Sequence, residues 1–412
     1  MNVRFYSIDK NVGRFFLIGG FLGAGKTSLI RMITLKLRHL QLEAALVTND
    51  QGEGLLDTDS ARETLSFSST HSASDNDYLC DNIDTKEISG DEKTPQESPP
   101  PPLVSEITGG CFCCRLEELV GTIETLSQES RPDVIVAEPV GSCTDLMATV
   151  IRPLEQIYKT PLTLAPLSVV LDARRALAAL GGKRNKRDFH RDVGYIYRKQ
   201  LEEAEWLVVN KCDLMTAEDL ADLERRLARS FPGKRTFYLS AKTGEGLDEW
   251  LEALLTHQTG SGAEMEVDYE RYAEGEALLG WVNSEALCYA SGEIDWNQWL
   301  SEAAQTIANR LDEAGHEVGH FKMSVEANGQ RYRVHQVMSD EEVVTVQRAQ
   351  PNQEPDATPR LLVNLRAEGD AKRLETIVLQ SFAESNSVDV DFLNQAAFQP
   401  GKPVPVHRLA SV

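Results

Sequence analysis

The chain has 412 residues, 41% of them hydrophobic, and a formal net charge of −22. A chain of this length is too long to fold around one ordinary hydrophobic core, so we expect two domains. The acidic charge argues against nucleic acid and membrane surfaces as partners, because binding phosphates requires lysine and arginine. The seven cysteines lack the spacing of a disulfide scaffold, which indicates a reduced, cytoplasmic location.

Apolar strands alternate with helices over residues 1–256. Helices are predicted at residues 26–40, at residues 116–126 and in the segment that ends at Leu255. Strands are predicted at residues 14–18, 44–48, 133–137, 167–171, 206–209 and 236–239. Continuous apolar strands between helices are typical of a parallel sheet covered on both faces, so we predict an α/β domain here.

Residues 59–106 interrupt this pattern. They are rich in serine, threonine, aspartate and glutamate, and four consecutive prolines lie at residues 99–102. This composition supplies few side chains for a core, so we predict a disordered acidic insertion within the α/β domain.

The pattern changes after a polar linker at residues 257–263. Two helices are predicted at residues 296–314 and 371–382. Strands are predicted at residues 277–289, 318–327, 331–337, 360–365 and 388–392. We predict a smaller α+β domain over residues 264–400, with one sheet backed by two helices, and a tail at residues 401–412.

A glycine-rich loop follows the first strand and matches the pattern GxxxxGK[ST]. The residues predicted to bind nucleotide there are Gly20, Gly23, Ala24, Gly25, Lys26, Thr27 and Ser28. Lys26 is expected to reach the β- and γ-phosphates, and the Thr27 hydroxyl to ligate Mg²⁺. The strand–loop–helix order predicts the parallel sheet of a P-loop NTPase.

Two later motifs indicate which base the site reads. Asn210, Lys211 and Asp213 form an NKxD motif after a buried strand, and the sequence Ser240-Ala241-Lys242 follows the next strand. A carboxylate at Asp213 would accept hydrogen bonds from guanine N1 and N2, which adenine cannot donate. We therefore predict that the site binds GTP rather than ATP. Equal binding of the two nucleotides would instead indicate a nucleotide-dependent kinase.

Carboxylates at strand ends are candidates for hydrolysis. Glu138 directly follows the strand predicted at residues 133–137. We predict that Glu138 and Lys26 are catalytic, and that Glu138 orients the attacking water or supports Mg²⁺. The segment from Asn49 to Gly52 lies at the switch position. Asp57 is the better candidate there for Mg²⁺, beside Thr27 and Glu138.

Three cysteines lie in four residues: Cys111, Cys113 and Cys114. Their thiolates suit Zn²⁺, Co²⁺ or Cu⁺, and they leave a fourth position open for water or a client's ligand. Burial as small apolar residues and a redox switch are the alternatives. Of the isolated cysteines, Cys143 is the preferred candidate for a fourth ligand, because it lies close to Glu138.

Two other features carry weaker signals. His316 and His320 straddle a predicted helix end and strand start, so we interpret them as structural. The basic run at residues 183–187 is interpreted as a solvated surface.

Together, the phosphate loop, the cysteine motif at residues 110–114, the Glu138 motif and the NKxD motif resemble the CobW/HypB/UreG family of SIMIBI-class P-loop GTPases, and within it the CobW-like branch. Glutamate at position 138, where ordinary G proteins have aspartate, is a mark of that family. The resemblance covers roughly residues 14–256. It implies slow GTP hydrolysis and metal binding at Cys111, Cys113 and Cys114 that is coupled to nucleotide.

The resemblance also implies delivery of a metal or metallocofactor to a client metalloprotein. The expected function is a GTP-hydrolysing metallochaperone for zinc or cobalt that uses GTP and Mg²⁺. The resemblance does not identify the client protein, and it does not decide whether the chain forms a homodimer. A regulatory GTP-binding switch with redox-sensing cysteines and a cobalamin-linked GTPase are the alternatives. The long insertion and the sequence Pro139-Val140-Gly141-Ser142-Cys143 depart from the common family pattern.

Overall fold

A computed structural model describes residues 13–49, 103–181, 189–260, 262, 265–336, 344–349, 358–383 and 387–410. Asp57, residues 59–102 of the predicted insertion and the basic run at residues 183–187 lie outside these ranges. Within them the chain forms one parallel and one antiparallel sheet. None of the described helices is both long and apolar enough to cross a membrane.

The first sheet has eight strands, all paired in parallel. They are β1 (Arg14–Gly20), β2 (Ala44–Asn49), β3 (Leu103–Ile107), β4 (Val134–Glu138), β5 (Thr163–Leu164), β6 (Ser168–Asp172), β7 (Trp206–Asn210) and β8 (Arg235–Tyr238). The strand order is β3-β2-β4-β1-β6-β7-β8, with β5 paired to β1. β3, the strand before the cysteine motif, is therefore an edge strand of the sheet.

Helices cover both faces of this sheet. They are α1 (Lys26–His39), α2 (Leu116–Glu129), α3 (Arg152–Gln156), α4 (Ala173–Ala179), α5 (Arg191–Glu203), α6 (Ala217–Ser230), α7 (Leu247–Thr256) and α8 (Tyr269–Ala277). Phe15 and Leu17 of β1 share one core with α2 and α5, whereas Phe16 and Ile18 share the other with α1 and α7. Alternate side chains of one strand thus enter two cores, which confirms the predicted sheet with helices on both faces.

The prediction of disorder is wrong for residues 103–106. These residues belong to β3, which pairs in parallel with β2 so that Leu103 lies opposite Ala45 and Ile107 opposite Asn49. Leu103 is 49% exposed, and only Ile107 of this strand is buried. An exposed edge strand of mixed composition carries no continuous apolar pattern, so the sequence resembles the acidic segment before it.

The second sheet is antiparallel and has the order β12-β11-β10-β13-β9-β14. Its strands are β9 (Leu279–Ala290), β10 (Val318–Ala327), β11 (Gln330–Gln336), β12 (Val344–Ala349), β13 (Arg360–Glu368) and β14 (Val388–Phe398). Apolar side chains of α9 (Trp296–Glu313) and α10 (Ala371–Ala383) share its core. The predicted α+β architecture is confirmed, although β12 was not predicted and β14 is longer than expected.

A buried carboxylate fixes the chain after β4. Glu203, at the end of α5, accepts hydrogen bonds from the Thr144 hydroxyl at 3.0 Å and from the Met147 backbone N–H at 3.2 Å. Met147 begins a π-helical turn, Met147–Ile151. Burial, reinforced by the negative charge of Asp145, raises the pKa of Glu203 to about 8.

The raised pKa of Glu203 predicts a pH-dependent stability. The folded state binds this proton more tightly than the unfolded state, so the stabilisation is full below the ordinary glutamate pKa of 4.5 and is lost as pH rises toward about 8. Glu203→Gln stays neutral throughout. The free energy of unfolding of this variant, relative to that of wild type, should therefore rise between about pH 5 and pH 8, by at most about 1.4 kcal/mol per pH unit.

Urea unfolding at several pH values measures this difference. Glu202→Gln is the matched control on the same helix, because Glu202 has a lowered pKa and should show no such rise. Parallel stability curves for Glu203→Gln and wild type would contradict the prediction.

Candidate nucleotide and metal sites

The parallel strands bring the predicted motifs to one edge of the first sheet, where their carboxyl ends meet. The phosphate loop follows β1, Glu138 ends β4, and the NKxD motif begins at the end of β7. The cysteine motif comes four residues after β3. Segments far apart in the sequence are therefore neighbours at this edge.

The phosphate loop closes around the Lys26 ammonium, which is buried and donates to the Gly20 carbonyl at 2.9 Å. Gly20 and Gly25 have φ values of 136° and 89°. A Cβ at Gly20 would lie 2.2 Å from the Val170 carbonyl oxygen, and one at Gly25 would lie 2.4 Å from Asn210 Nδ2. Both positions require glycine, and the loop leaves a positive centre at the start of α1 that suits a phosphate.

Thr27 and Glu138 contact each other directly, since the Thr27 hydroxyl donates to Glu138 Oε1 at 2.9 Å. A hydroxyl and a carboxylate oxygen at the end of the phosphate loop are ligands that suit Mg²⁺. Ser28 is exposed on the first turn of α1, and Gly23 adopts a positive φ of 73°. The third candidate ligand, Asp57, lies outside the described residues.

Asn210 joins the base-reading motifs to the phosphate loop. Its Nδ2 donates to the Ala24 carbonyl at 2.9 Å, and its Oδ1 accepts from the Ala241 backbone N–H at 3.0 Å. The Ser240 hydroxyl donates to Asp213 Oδ1 at 2.6 Å. The predicted NKxD and SAK motifs therefore form one connected unit.

Lys211 stands in the left-handed conformation with a φ of 64°. Its ammonium lies 2.7 Å from the buried Asp172 carboxylate. Burial opposes ionisation of Asp172, but the Lys211 charge prevails and lowers the pKa of this carboxyl. The ion pair stabilises a strained backbone position beside Asp213. Lys242 is exposed and donates its N–H to Ser240 Oγ at 3.2 Å.

The thiols of Cys111, Cys113 and Cys114 form a cluster, in which all three sulfur atoms lie within 4.8 Å of one another. The separations are 2.8 Å for Cys111–Cys113, 3.3 Å for Cys111–Cys114 and 3.7 Å for Cys113–Cys114. Hydrogen bonding between the Cys111 sulfur and the sulfur atoms of Cys113 and Cys114 holds the pKa of Cys111 well below its ordinary value. Three soft ligands are thus within reach of one ion, and one of them ionises readily.

Asn49 holds the cysteine loop in place, a role that we did not predict. Its Nδ2 donates to the carbonyls of Ile107 at 2.9 Å and Gly110 at 2.7 Å, while its Oδ1 accepts from the Phe112 N–H at 2.9 Å. Phe112 is fully buried between the cysteines. The sequence predicts only that Asn49 belongs to a switch segment, because its position after an apolar strand does not show which loop its side chain contacts.

The C-terminal segment, residues 402–409, covers the cysteine loop. Val406 N–H donates to the Cys113 carbonyl at 2.9 Å, and Val404 N–H donates to Cys114 Sγ at 3.2 Å. Arg408 anchors the segment through the buried Asp145 carboxylate at 2.7 Å. This part of the predicted tail is therefore tied to the cluster by its backbone, and no periodic pattern in the sequence indicates it.

The two histidines do not form a site on one helix face. α9 ends at Glu313, His316 lies in the following loop, and His320 lies in β10. His316 Nδ1 is 2.9 Å from the Glu368 carbonyl oxygen. These positions agree with the structural interpretation.

Removing the Asn49 amide should loosen the cysteine loop. Asn49→Ala leaves the buried Ile107 carbonyl, the part-buried Gly110 carbonyl and the buried Phe112 N–H without these hydrogen bonds, which should lower the free energy of unfolding by about 2 kcal/mol or more. Alkylation of Cys111 and Cys113 in the folded protein should become faster. Urea unfolding and mass-spectrometric alkylation rates measure both effects.

Asn283→Ala is the matched control, because Asn283 is also buried and accepts hydrogen bonds from Asn364 and Arg366 in the second sheet. It should lower stability without changing the alkylation of Cys111 and Cys113. Equal alkylation rates in the two variants would show that Asn49 does not position the cysteine loop.

Comparison with known proteins places the chain in a family. The model of the CobW/HypB/UreG nucleotide-binding domain matches residues 14–238. The zinc chaperone CobW of Sinorhizobium sp is 24% identical over 247 residues, 56% of this chain. The match spans 59% of that relative's length.

Two solved structures are also similar. The Zn(II)-bound YjiA GTPase from E. coli is 14% identical, covers 90% of this chain and 99% of its own, and has a TM-score of 0.34. HypB from Helicobacter pylori in complex with nickel is 13% identical, and the match covers 60% of this chain and 87% of the HypB chain, with a TM-score of 0.37. Because the family model matches more than half of the sequence, from β1 to the end of β8, the chain belongs to the CobW/HypB/UreG family.

Proposed function

We propose that this chain is a GTP-binding and GTP-hydrolysing metallochaperone, which binds Zn²⁺ or Co²⁺ at Cys111, Cys113 and Cys114 and delivers the metal or a metallocofactor to a client metalloprotein. One observation carries the proposal: three thiols within 4.8 Å of one another lie at the sheet edge that also carries the phosphate loop. The match to a protein named a zinc chaperone supports zinc as the cargo.

The phosphate end of the nucleotide would lie in the loop after β1. Lys26 would balance the charge of the β- and γ-phosphates, and Thr27 and Glu138 would hold Mg²⁺. A role of Asp57 as a third Mg²⁺ ligand stays a prediction. Mg²⁺, when bound, neutralises charge on the phosphates. Alternatively, the Glu138 carboxylate would orient the attacking water.

The base would be read by Asp213. Guanine donates hydrogen bonds from N1 and N2 to the two oxygens of one carboxylate, whereas adenine has no such pair of donors. The Ser240 hydroxyl and the Lys211–Asp172 ion pair hold this region in one arrangement. These contacts support GTP rather than ATP as the substrate.

The cysteine cluster suits a cargo ion. Thiolates prefer borderline and soft cations, and the lowered pKa of Cys111 reduces the cost of losing its proton to a metal. Cys111 and Cys113 are buried, and residues 402–409 cover the loop. Such a site needs reduced thiols, which supports a cytoplasmic location.

The same cluster also supports a second candidate, a GTP-binding switch that senses oxidants. Cys111 and Cys113 are 2.8 Å apart, and the lowered pKa of Cys111 favours the reactive thiolate. Such a switch would have no specific metal affinity.

Zinc binding and GTP hydrolysis of matched variants test the proposal. Wild type should bind one Zn²⁺ tightly in competition with a chromophoric chelator, and hydrolyse GTP in preference to ATP. The triple variant Cys111→Ser, Cys113→Ser, Cys114→Ser should lose ~100-fold or more in zinc affinity, because serine is a poor zinc ligand. Lys26→Ala should lose GTP hydrolysis and still bind zinc.

Cys288→Ser is the control, because Cys288 is a buried cysteine of the second sheet; it should change neither property. Equal zinc affinity in wild type and the triple variant would contradict a metallochaperone and favour the redox switch. Equal hydrolysis of ATP and GTP would contradict the assigned role of Asp213.

A further inference from the structure

The C-terminal segment at residues 402–409 lies outside any helix or strand and has prolines at alternate positions. Pro403 is buried and Pro405 is half-buried, whereas the valines that follow each of them are exposed. Proline has no backbone N–H, so Val404 and Val406 supply the backbone donors of residues 403–406. Both of these N–H groups donate to the cysteine loop.

These two donors contact the part of the cysteine cluster that is nearest to solvent. Val406 N–H donates to the Cys113 carbonyl at 2.9 Å, and Val404 N–H donates to Cys114 Sγ at 3.2 Å. Cys114 is half-buried, whereas Cys111 and Cys113 are buried. Because Cys114 is the most exposed member of the cluster, an incoming reagent should reach the thiols from its side. The C-terminal segment occupies that side.

The end of the segment is held by a buried carboxylate. Arg408 Nε donates to Asp145 Oδ2 at 2.7 Å, and Asp145 is 1% exposed. Leu409 N–H donates to the Ala148 carbonyl at 2.9 Å, and the Leu409 carbonyl accepts from Arg152 Nη1 at 2.9 Å. A hydrogen bond between ionised groups is stronger than one between neutral groups. Arg408 is therefore the main side-chain anchor of the segment.

The middle of the segment is held less firmly. Val404 is 70% exposed and Val406 is 40% exposed, so their side chains contribute little to a core. Lys402 pairs with Glu270, but both side chains lie near solvent, where an ion pair stabilises little. A segment with few buried apolar contacts opens at a lower free energy than a core strand. We therefore expect the segment to leave the cysteine loop while both sheets stay folded.

We propose that residues 402–409 form a strap that controls access to the cysteine cluster. While Arg408 is bound to Asp145, the strap is closed and shields Cys113 and Cys114 from solvent. When this contact breaks, the strap opens, and both cysteines become accessible for metal exchange and for transfer to a client. The shielding of the thiols follows from the contacts of the strap, whereas the control of metal exchange also rests on the proposed function.

Alkylation of the metal-free, full-length protein with iodoacetamide tests the shielding. Arg408→Ala should speed the alkylation of Cys113 and Cys114 at least ~10-fold, because it removes a hydrogen bond between charged groups. This change corresponds to about 1.4 kcal/mol in the opening equilibrium. Lys402→Ala is the matched control, since it removes only the exposed ion pair of the same segment and should leave both rates unchanged. Alkylation of Cys288, which is buried in the second sheet, reports unfolding of the whole chain.

Val404→Pro provides a second variant that leaves the Asp145 anchor in place. It removes the N–H that contacts Cys114, so the alkylation of Cys114 should become faster. This variant decides the outcome if Arg408→Ala also speeds the alkylation of Cys288 and thus unfolds the whole chain. Unchanged rates at the cluster in Arg408→Ala, or at Cys114 in Val404→Pro, would show that the strap does not shield the thiols.

Zinc release into an excess of chelator tests the control of metal exchange. Zinc-loaded Arg408→Ala should release zinc at least ~10-fold faster than wild type, whereas Lys402→Ala should release it at the wild-type rate. Faster alkylation with unchanged zinc release would overturn the control of metal exchange. If wild type binds no zinc while alkylation becomes faster, the proposed function is wrong and the shielding stands. If zinc is bound and neither rate changes, only the strap is wrong.

Discussion

The parallel alignment of β1 to β4 is the constraint on which the candidate sites depend. β4 lies between β1 and β2, and β3 pairs with β2, so the carboxyl ends of all four strands open to one edge. The phosphate loop, Glu138 and the cysteine loop lie at the same edge of the sheet for this reason. They are far apart in the sequence. If neighbouring strands were antiparallel, Glu138 and the cysteine loop would lie at the edge opposite the phosphate loop.

A small set of buried polar side chains then fixes the loops at that edge. Asn49 holds the cysteine loop, Gln200 and Glu203 hold the segment after β4, and Asn210 joins the base-reading motifs to the phosphate loop. Each uses several hydrogen bonds in a dry environment, where an unpaired partner is costly. These hydrogen bonds therefore hold the loops in one arrangement.

The sequence predicts the parts of this arrangement that depend on local patterns. Apolar strands, the glycine-rich loop and the three adjacent cysteines are recognisable because each lies within a few residues. The roles of Asn49 and Gln200 cannot be predicted from local patterns, since they depend on hydrogen bonds to backbone groups that are distant in the sequence. β3 was missed at residues 103–106 because its exposed side chains resemble the acidic segment before it. The cover formed by residues 402–409 was missed because backbone contacts leave no side-chain pattern. The role of Asp57 and the domain boundaries stay predictions.

We propose that nucleotide binding and metal binding are coupled through this edge of the sheet. The zinc dissociation constant, measured by chelator competition with Mg-GTP, with Mg-GDP and without nucleotide, tests it most directly. We expect the zinc dissociation constants of the GTP and GDP states to differ at least ~10-fold, a coupling of about 1.4 kcal/mol. Lys26→Ala should abolish this difference. The same dissociation constant in all three states, with nucleotide binding verified separately, would show that the two sites are not coupled.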